Sequence, residues 1–176
     1  MGGFCFLIAV TPYLAEKGNP AAPFLYDSFG FLCHQLTSRS LCLFHSGGYY
    51  VSSCVPDEKF SYSKSAEVLV DGVKGYKFPV CTRDMSIYFF MLVGGLLFPF
   101  FWKVEKTEWP SKWILLGASI PIAVDGGMQL LGFWESSNLA RVVTGAIVGV
   151  LLPFYIIPML NMLAKTVAKS VGMKRR

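Results

Sequence analysis

Residues 142–164 read VVTGAIVGVLLPFYIIPMLNMLA, an apolar run without one charged residue. A helix needs ~20 such residues to cross the hydrocarbon core of a bilayer. Two more runs of this kind precede it. Ser86–Trp102, SIYFFMLVGGLLFPFFW, has no charge, and Trp113–Phe133 has only Asp125. The chain of 176 residues is 53% hydrophobic and 15% charged, against about 25% charged for a soluble domain. The apolar excess is gathered into blocks, so the length fits one membrane domain over residues 1–176.

Gly2–Leu14 is a fourth block, only marginally long enough to cross. It lacks a basic leading region and a small-x-small cleavage site, so it reads as a short or N-terminally incomplete helix rather than a signal peptide. The reading is an all-α integral membrane protein. About four transmembrane helices are expected, near residues 2–14, 86–102, 113–133 and 142–164. A weaker apolar stretch, Ala21–Leu36, adds a short re-entrant or interfacial helix ending at Cys33-His34-Gln35.

The net charge of +5 is not a nucleic-acid signal, because the basic residues are grouped for topology. Lys103, Lys106 and Lys112 lie in the loop between the second and third helices. Lys165, Lys169, Lys174, Arg175 and Arg176 lie at the C-terminus. The positive-inside rule places both in the cytoplasm. An even number of crossings separates them, so the two assignments agree. The segment 15–85 then faces outward by elimination, its seven basic and seven acidic residues in balance.

That outward segment holds Cys33, Cys42, Cys54 and Cys81, where disulfides are permitted. Cys42 and Cys54 bracket HSGGYYVSS, a turn and short strand they could staple, but four cysteines allow three connectivities and sequence does not choose. Around residues 66–80, AEVLV-DG-VKGYKF is a β-hairpin signal, with Asp71-Gly72 supplying the turn. No phosphate-binding loop, nucleophile elbow, zinc-protease helix or dinucleotide fingerprint is present.

The polar residues near the membrane are the candidate site. Asp84 falls in the first turn of the second helix, where the helix dipole favours an anion. Asp125 lies inside the hydrocarbon in the third helix, with Gln129 one turn on. A buried ionisable residue there costs roughly 2.5–3.5 kcal/mol and calls for a partner. Arg141, at the start of the fourth helix across the short loop WESSNLA, is the expected one. Gly145 and Gly149 follow it at the spacing that lets helices approach closely. Cys33, His34, Gln35, Arg39, Cys81, Arg83, Asp84, Asp125, Gln129, Ser136, Asn138 and Arg141 all map to the outer half. A one-sided polar cluster of this kind marks a site.

At these residues the chain resembles a family of small predicted membrane proteins of bacteria and archaea, known only as a domain of unknown function. The matching residues are Cys33-His34-Gln35, Arg39-Ser40, Cys81-Thr82-Arg83, Ile87-Tyr88, Asp125-Gly126, Gln129, Gly132, Asn138, Arg141 and Thr144-Gly145. The resemblance runs from about Pro12 to Gly149. It implies a membrane fold and a shared polar cluster but no activity. Asp84 stands where relatives are expected to have the second cysteine of Cys-x-Arg-Cys, which weakens a two-thiol redox motif there.

Three functions are open. In the first, Cys33, His34 and Cys81 ligate zinc or iron, Asp125 and Asp84 with Gln129 do acid–base work, and Arg39, Arg83, Arg141, Gln35 and Asn138 bind an anionic, lipid-like substrate. In the second, Asp125, Gln129 and Arg141 serve ion- or proton-coupled transport, although a bundle this small without an inverted repeat needs oligomerisation. In the third, the chain is a structural or assembly subunit, in a homo-oligomer or larger membrane complex, with a plain Cys33–Cys81 disulfide. The expected partners are membrane lipid and such a complex, not nucleic acid.

Overall fold

A computed structural model describes residues 1–55 and 65–170. Six helices and four strands follow in the order α1 (Gly2–Glu16), α2 (Ala21–Gly30), β1 (Leu41–His45), β2 (Tyr49–Ser53), β3 (Glu67–Val70), β4 (Val73–Lys77), α3 (Thr82–Phe101), α4 (Lys112–Leu130), α5 (Asn138–Leu151) and α6 (Pro153–Ser170). Among the described residues, three stretches are long and apolar enough to cross a membrane: Thr82–Phe101, Lys112–Leu130 and Asn138–Ser170. α1 is apolar but has 15 residues, about 22 Å at the helical rise, short of the ~30 Å core. The count of crossing-length helices is therefore three where the sequence suggests about four.

The run at 142–164 spans the α5–α6 junction: Pro153 has no amide hydrogen for the ladder, but Leu152 keeps helical backbone (φ −51°, ψ −43°), so Asn138–Ser170 continues as one stretch. The last residues of the basic C-terminal tail, Lys174, Arg175 and Arg176, lie outside the described residues. α4 ends at Leu130, and Gly132 just beyond it, with φ +77°, turns the chain so that the Phe133 amide reaches the Met128 carbonyl at 3.0 Å.

The expectation of an all-α chain with a single hairpin needs correction. Asp71 (φ +49°) and Gly72 (φ +79°) do turn β3 into β4, but β1 pairs with both β4 and β2, giving an antiparallel sheet ordered β2-β1-β4-β3. In β1 the alternation LCLFH sends Cys42 and Phe44 inward and leaves the residues between them less covered. Gly75 has no side chain, so the Phe44 ring lies across it. Cys42 and Cys54 form a disulfide under the sheet, packed with Phe44, Val68, Val70 and Val73. It closes a loop of sequence separation 12. Removing a disulfide that closes a loop of this size is expected to cost about 3 kcal/mol. The Cys42→Ser/Cys54→Ser variant should thus lose amide-exchange protection in Leu41–His45 by a factor on the order of 100.

A second apolar cluster joins the helices to the sheet. Ile8, Phe29, Phe78 and Val80 are buried together, with Phe4, Cys33, Met85 and Tyr88 packed against them. The tightest helix seam is between α3 and α5. A Cβ on Gly94 would lie 2.3 Å from the Val150 carbonyl oxygen, and one on Gly149 would lie 2.6 Å from that of Ile87. The glycines that the sequence suggests for an α4 contact thus serve α3. Ser86 donates from its hydroxyl to the Val142 carbonyl at 2.7 Å across the same seam.

Candidate metal centre

Cys81 stands at the N-cap position of α3, with extended backbone before the helix and Asp84 in the first turn. Its thiol lies 3.1 Å from Asp84 Oδ2. The contact joins the two side chains, and neither caps the helix backbone. The Cys81 amide donates to Cys33 Sγ at 3.2 Å. Ligand atoms of Cys33, Cys81 and Asp84 all lie within 4.8 Å of one another, on half-buried residues. His34 is exposed and stands outside this group. It lines, with Cys33, Tyr26 and Asp27, an open cavity of about 450 Å³.

Cys33 reaches this position through a turn after α2 that sequence alone does not reveal. α2 stops at Gly30, so Cys33-His34-Gln35 lies beyond the helix rather than ending it. Gln35 has φ +53°, a conformation uncommon for a side chain with a Cβ. Three bonds hold it there. Lys77 Nζ donates to the Gln35 carbonyl at 2.6 Å, Gln35 Nε2 donates to the Tyr26 carbonyl at 2.6 Å, and the Tyr26 hydroxyl donates to the Lys77 carbonyl. Lys77 is fully buried in β4, and an ammonium at that depth needs such acceptors. The neighbouring strand then completes the approach: Cys42 pairs with Lys77, and the Phe78 amide bonds the Leu41 carbonyl at 2.9 Å.

The electrostatics of the two thiols differ. A hydrogen bond from the Cys81 side chain lowers the Cys33 pKa, against the opposing effect of burial, with further help from backbone donors. The Cys81 thiol is pushed up by its interaction with Cys33, by burial and by the Asp84 carboxylate. Of the two thiols, Cys33 is the one shifted toward ionisation.

The arginines behave differently from the sequence expectation. Asp125 is buried, but its ion-pair partner is Arg83 on α3, and Ser136 Oγ donates to the same oxygen at 2.7 Å. Arg141, 2% exposed, instead donates to Glu135 Oε1 at 2.7 Å and to Asn138 Oδ1 at 3.1 Å. Glu135 also accepts from Arg39 Nε at 3.0 Å and from Gln129. Asn138 Nδ2 donates to Ser53 Oγ at 2.9 Å, tying α5 to the sheet. The loop WESSNLA, short enough to read as a simple connection, therefore carries the carboxylate that gathers Arg39 and Arg141. Glu135, Lys77 and Tyr26 are the residues that the sequence reading passes over. The one available signal was a lone carboxylate between two arginine-bearing segments.

Arg39, Arg83 and Arg141 each already have a carboxylate partner. Arg39 and Arg141 share the single Glu135 carboxylate, and Asp125 accepts from both Arg83 and Ser136. Cys33, Cys81 and Asp84 form a separate group of two sulfurs and a carboxylate.

Residues 72–155 match the model of the family described as predicted membrane protein (DUF2085). An uncharacterized protein of Methanocaldococcus jannaschii is 33% identical over 161 residues, covering 88% of this chain and 84% of the relative. The chain belongs to this family. A second uncharacterized protein, from Methanothermobacter thermautotrophicus, is 28% identical over 103 residues, covering 57% of this chain and 79% of the relative. No solved structure matches. The matched segment includes Cys81, Arg83, Asp84, Asp125, Glu135 and Arg141, whereas Cys33, His34, Gln35 and Arg39 lie upstream of it.

Proposed function

We propose that this membrane protein holds a zinc or iron ion through Cys33, Cys81 and Asp84 at the end of the bundle where the sheet sits. The observation that carries this reading is the convergence of two thiol sulfurs and a carboxylate within 4.8 Å. Soft sulfur with one hard oxygen suits zinc or ferrous iron rather than magnesium or calcium. Three protein ligands with one open position is the pattern of catalytic rather than structural zinc. A metal bound there would supply Lewis acidity to a water or substrate oxygen reaching it from the cavity beside Cys33 and His34. A lipid-like substrate would reach the site from the surrounding bilayer.

The proposed topology places this end outside. Lys103, Lys106 and Lys112 then lie inside with the end of α6. In support, Lys106 stacks on the Trp102 ring at 3.8 Å, as in an interfacial aromatic and basic belt. α1 enters the outer half as the fourth helix of the bundle, beside α3, where Phe4 meets Tyr88.

The test is metal content of the detergent-purified chain. The expected result is about one zinc or iron per chain. Each of Cys33→Ser, Cys81→Ser and Asp84→Asn should weaken affinity by roughly 100-fold or more, since even outer-shell partners are worth 10–100-fold. His34→Ala should leave affinity unchanged. Retention of metal by the cysteine variants would refute the centre.

A second reading, an oligomeric assembly subunit, is favoured by α4, of which only Asp125 is buried. A monomer in mild detergent would remove that support.

A further inference from the structure

We propose that, in the metal-free chain, Cys33 and Cys81 form a dithiol–disulfide pair that exchanges with a disulfide presented from the aqueous phase. This goes beyond the metal centre and does not rest on it. Three observations carry it.

The first is proximity. Both thiols are free, 48 residues apart in sequence, and Cys33 Sγ lies 3.2 Å from the Cys81 amide. Their sulfurs are within 4.8 Å. A disulfide needs about 2.05 Å between sulfurs, with the two Cβ atoms near 3.8 Å. The sulfurs therefore have at most about 2.8 Å to close. The second is the setting. The Cys42–Cys54 disulfide lies on β1, which pairs with β4, the strand leading into Cys81. A stable disulfide marks the compartment facing this end as oxidising. The third is asymmetry. Cys33 lines the open cavity of about 450 Å³, and Cys81 does not. One thiol is presented for attack and the other is held behind it.

The exchange balances as follows. The Cys33 sulfur, as thiolate, attacks one sulfur of a partner disulfide. The partner's S–S bond breaks, a Cys33–partner disulfide forms, and the departing sulfur takes up a proton. Cys81 then gives its proton toward Asp84 Oδ2, which already accepts its hydrogen bond at 3.1 Å. The Cys81 sulfur attacks Cys33 Sγ, the mixed disulfide breaks, and the second partner sulfur leaves as a thiol. Cys33 and Cys81 are oxidised by two electrons and the partner disulfide is reduced to two thiols. The reverse sequence oxidises a partner dithiol. A bound metal would occupy both sulfurs and block either direction.

The experiment uses the full chain in detergent, stripped with a chelator and equilibrated in glutathione buffers from fully reduced to fully oxidised. Thiols are then alkylated and the peptides mapped by mass spectrometry. The expected change is from alkylation at Cys5, Cys33 and Cys81 to alkylation at Cys5 alone, with a linked Cys33–Cys81 peptide. Cys81→Ser should trap a glutathione adduct on Cys33. Cys33→Ser should leave Cys81 modified at least about tenfold more slowly. Three thiols retained in the oxidised buffer, pairing through Cys5, or equal adduct rates in the two variants would overturn the proposal. Zinc uptake is measured on the reduced sample. Uptake without disulfide closure sinks the exchange alone, and closure without uptake sinks the metal centre alone.

Discussion

Asp125→Leu is expected to destabilise the chain by about 3–5 kcal/mol, the cost of leaving one member of a buried ion pair without its partner. Asp125 accepts from Arg83 and Ser136 in the interior, so the substitution strands a guanidinium whose Nε is already without a partner. Arg83→Met should cost a similar amount for the complementary reason. The double variant should recover most of the loss, because it removes both charges. Hydrogen bonds between transmembrane helices average only about 0.6 kcal/mol in double-mutant cycles, with about 1.7 at most. A coupling above about 2 kcal/mol between Arg83 and Asp125 would therefore identify a charge pair. The same cycle run on Asp125 and Arg141, which share no bond, should be additive within about 0.5 kcal/mol. Unfolding in mixed micelles gives both numbers. Larger coupling to Arg141 than to Arg83 would contradict the structure.

Gly94→Ala and Gly149→Ala should be the most damaging alanine substitutions in the bundle. The added Cβ would meet the Val150 and Ile87 carbonyl oxygens at 2.3 and 2.6 Å. These are backbone atoms, so no rotamer change relieves the clash and the helices must part. Overpacking of this kind costs about 1–3 kcal/mol per site, and the two sites share one seam, so the double variant should lose the α3–α5 interface. Gly95→Ala and Gly117→Ala are the controls, because nothing lies within 4 Å of a Cβ at either. Both should be neutral or stabilising by up to about 1 kcal/mol from helix propensity. Equal losses at Gly94 and Gly95 would mean that α3 does not present the face described.

What could be read in advance was what lies close in sequence. The three apolar runs became α3, α4 and the α5–α6 pair, and Asp71-Gly72 became a hairpin turn, because period and turn chemistry are local properties. The site was harder. Asp125 was legible as a residue in need of a partner, but choosing Arg83 over Arg141 depends on α3 running beside α5, which no local pattern states. Cys33 and Cys81 meet because β1 pairs with β4, and that pairing was hidden by a strand, Leu41–His45, that reads as only half of a local excursion. Lys77 carried the opposite signal from its role: a lysine in a hairpin reads as a solvated edge, yet its ammonium is buried and holds the turn that presents Cys33. Glu135 gives no local signal of its role, because a charged residue in a short loop is usually just exposed.

The metal centre is tested most directly by X-ray absorption at the zinc edge of the zinc-loaded chain in detergent. The account predicts two sulfur neighbours at about 2.3 Å and a shell of oxygen or nitrogen near 2.0–2.1 Å, with one sulfur lost in Cys33→Ser and one in Cys81→Ser. A spectrum with oxygen and nitrogen neighbours alone, unchanged in both variants, would contradict it.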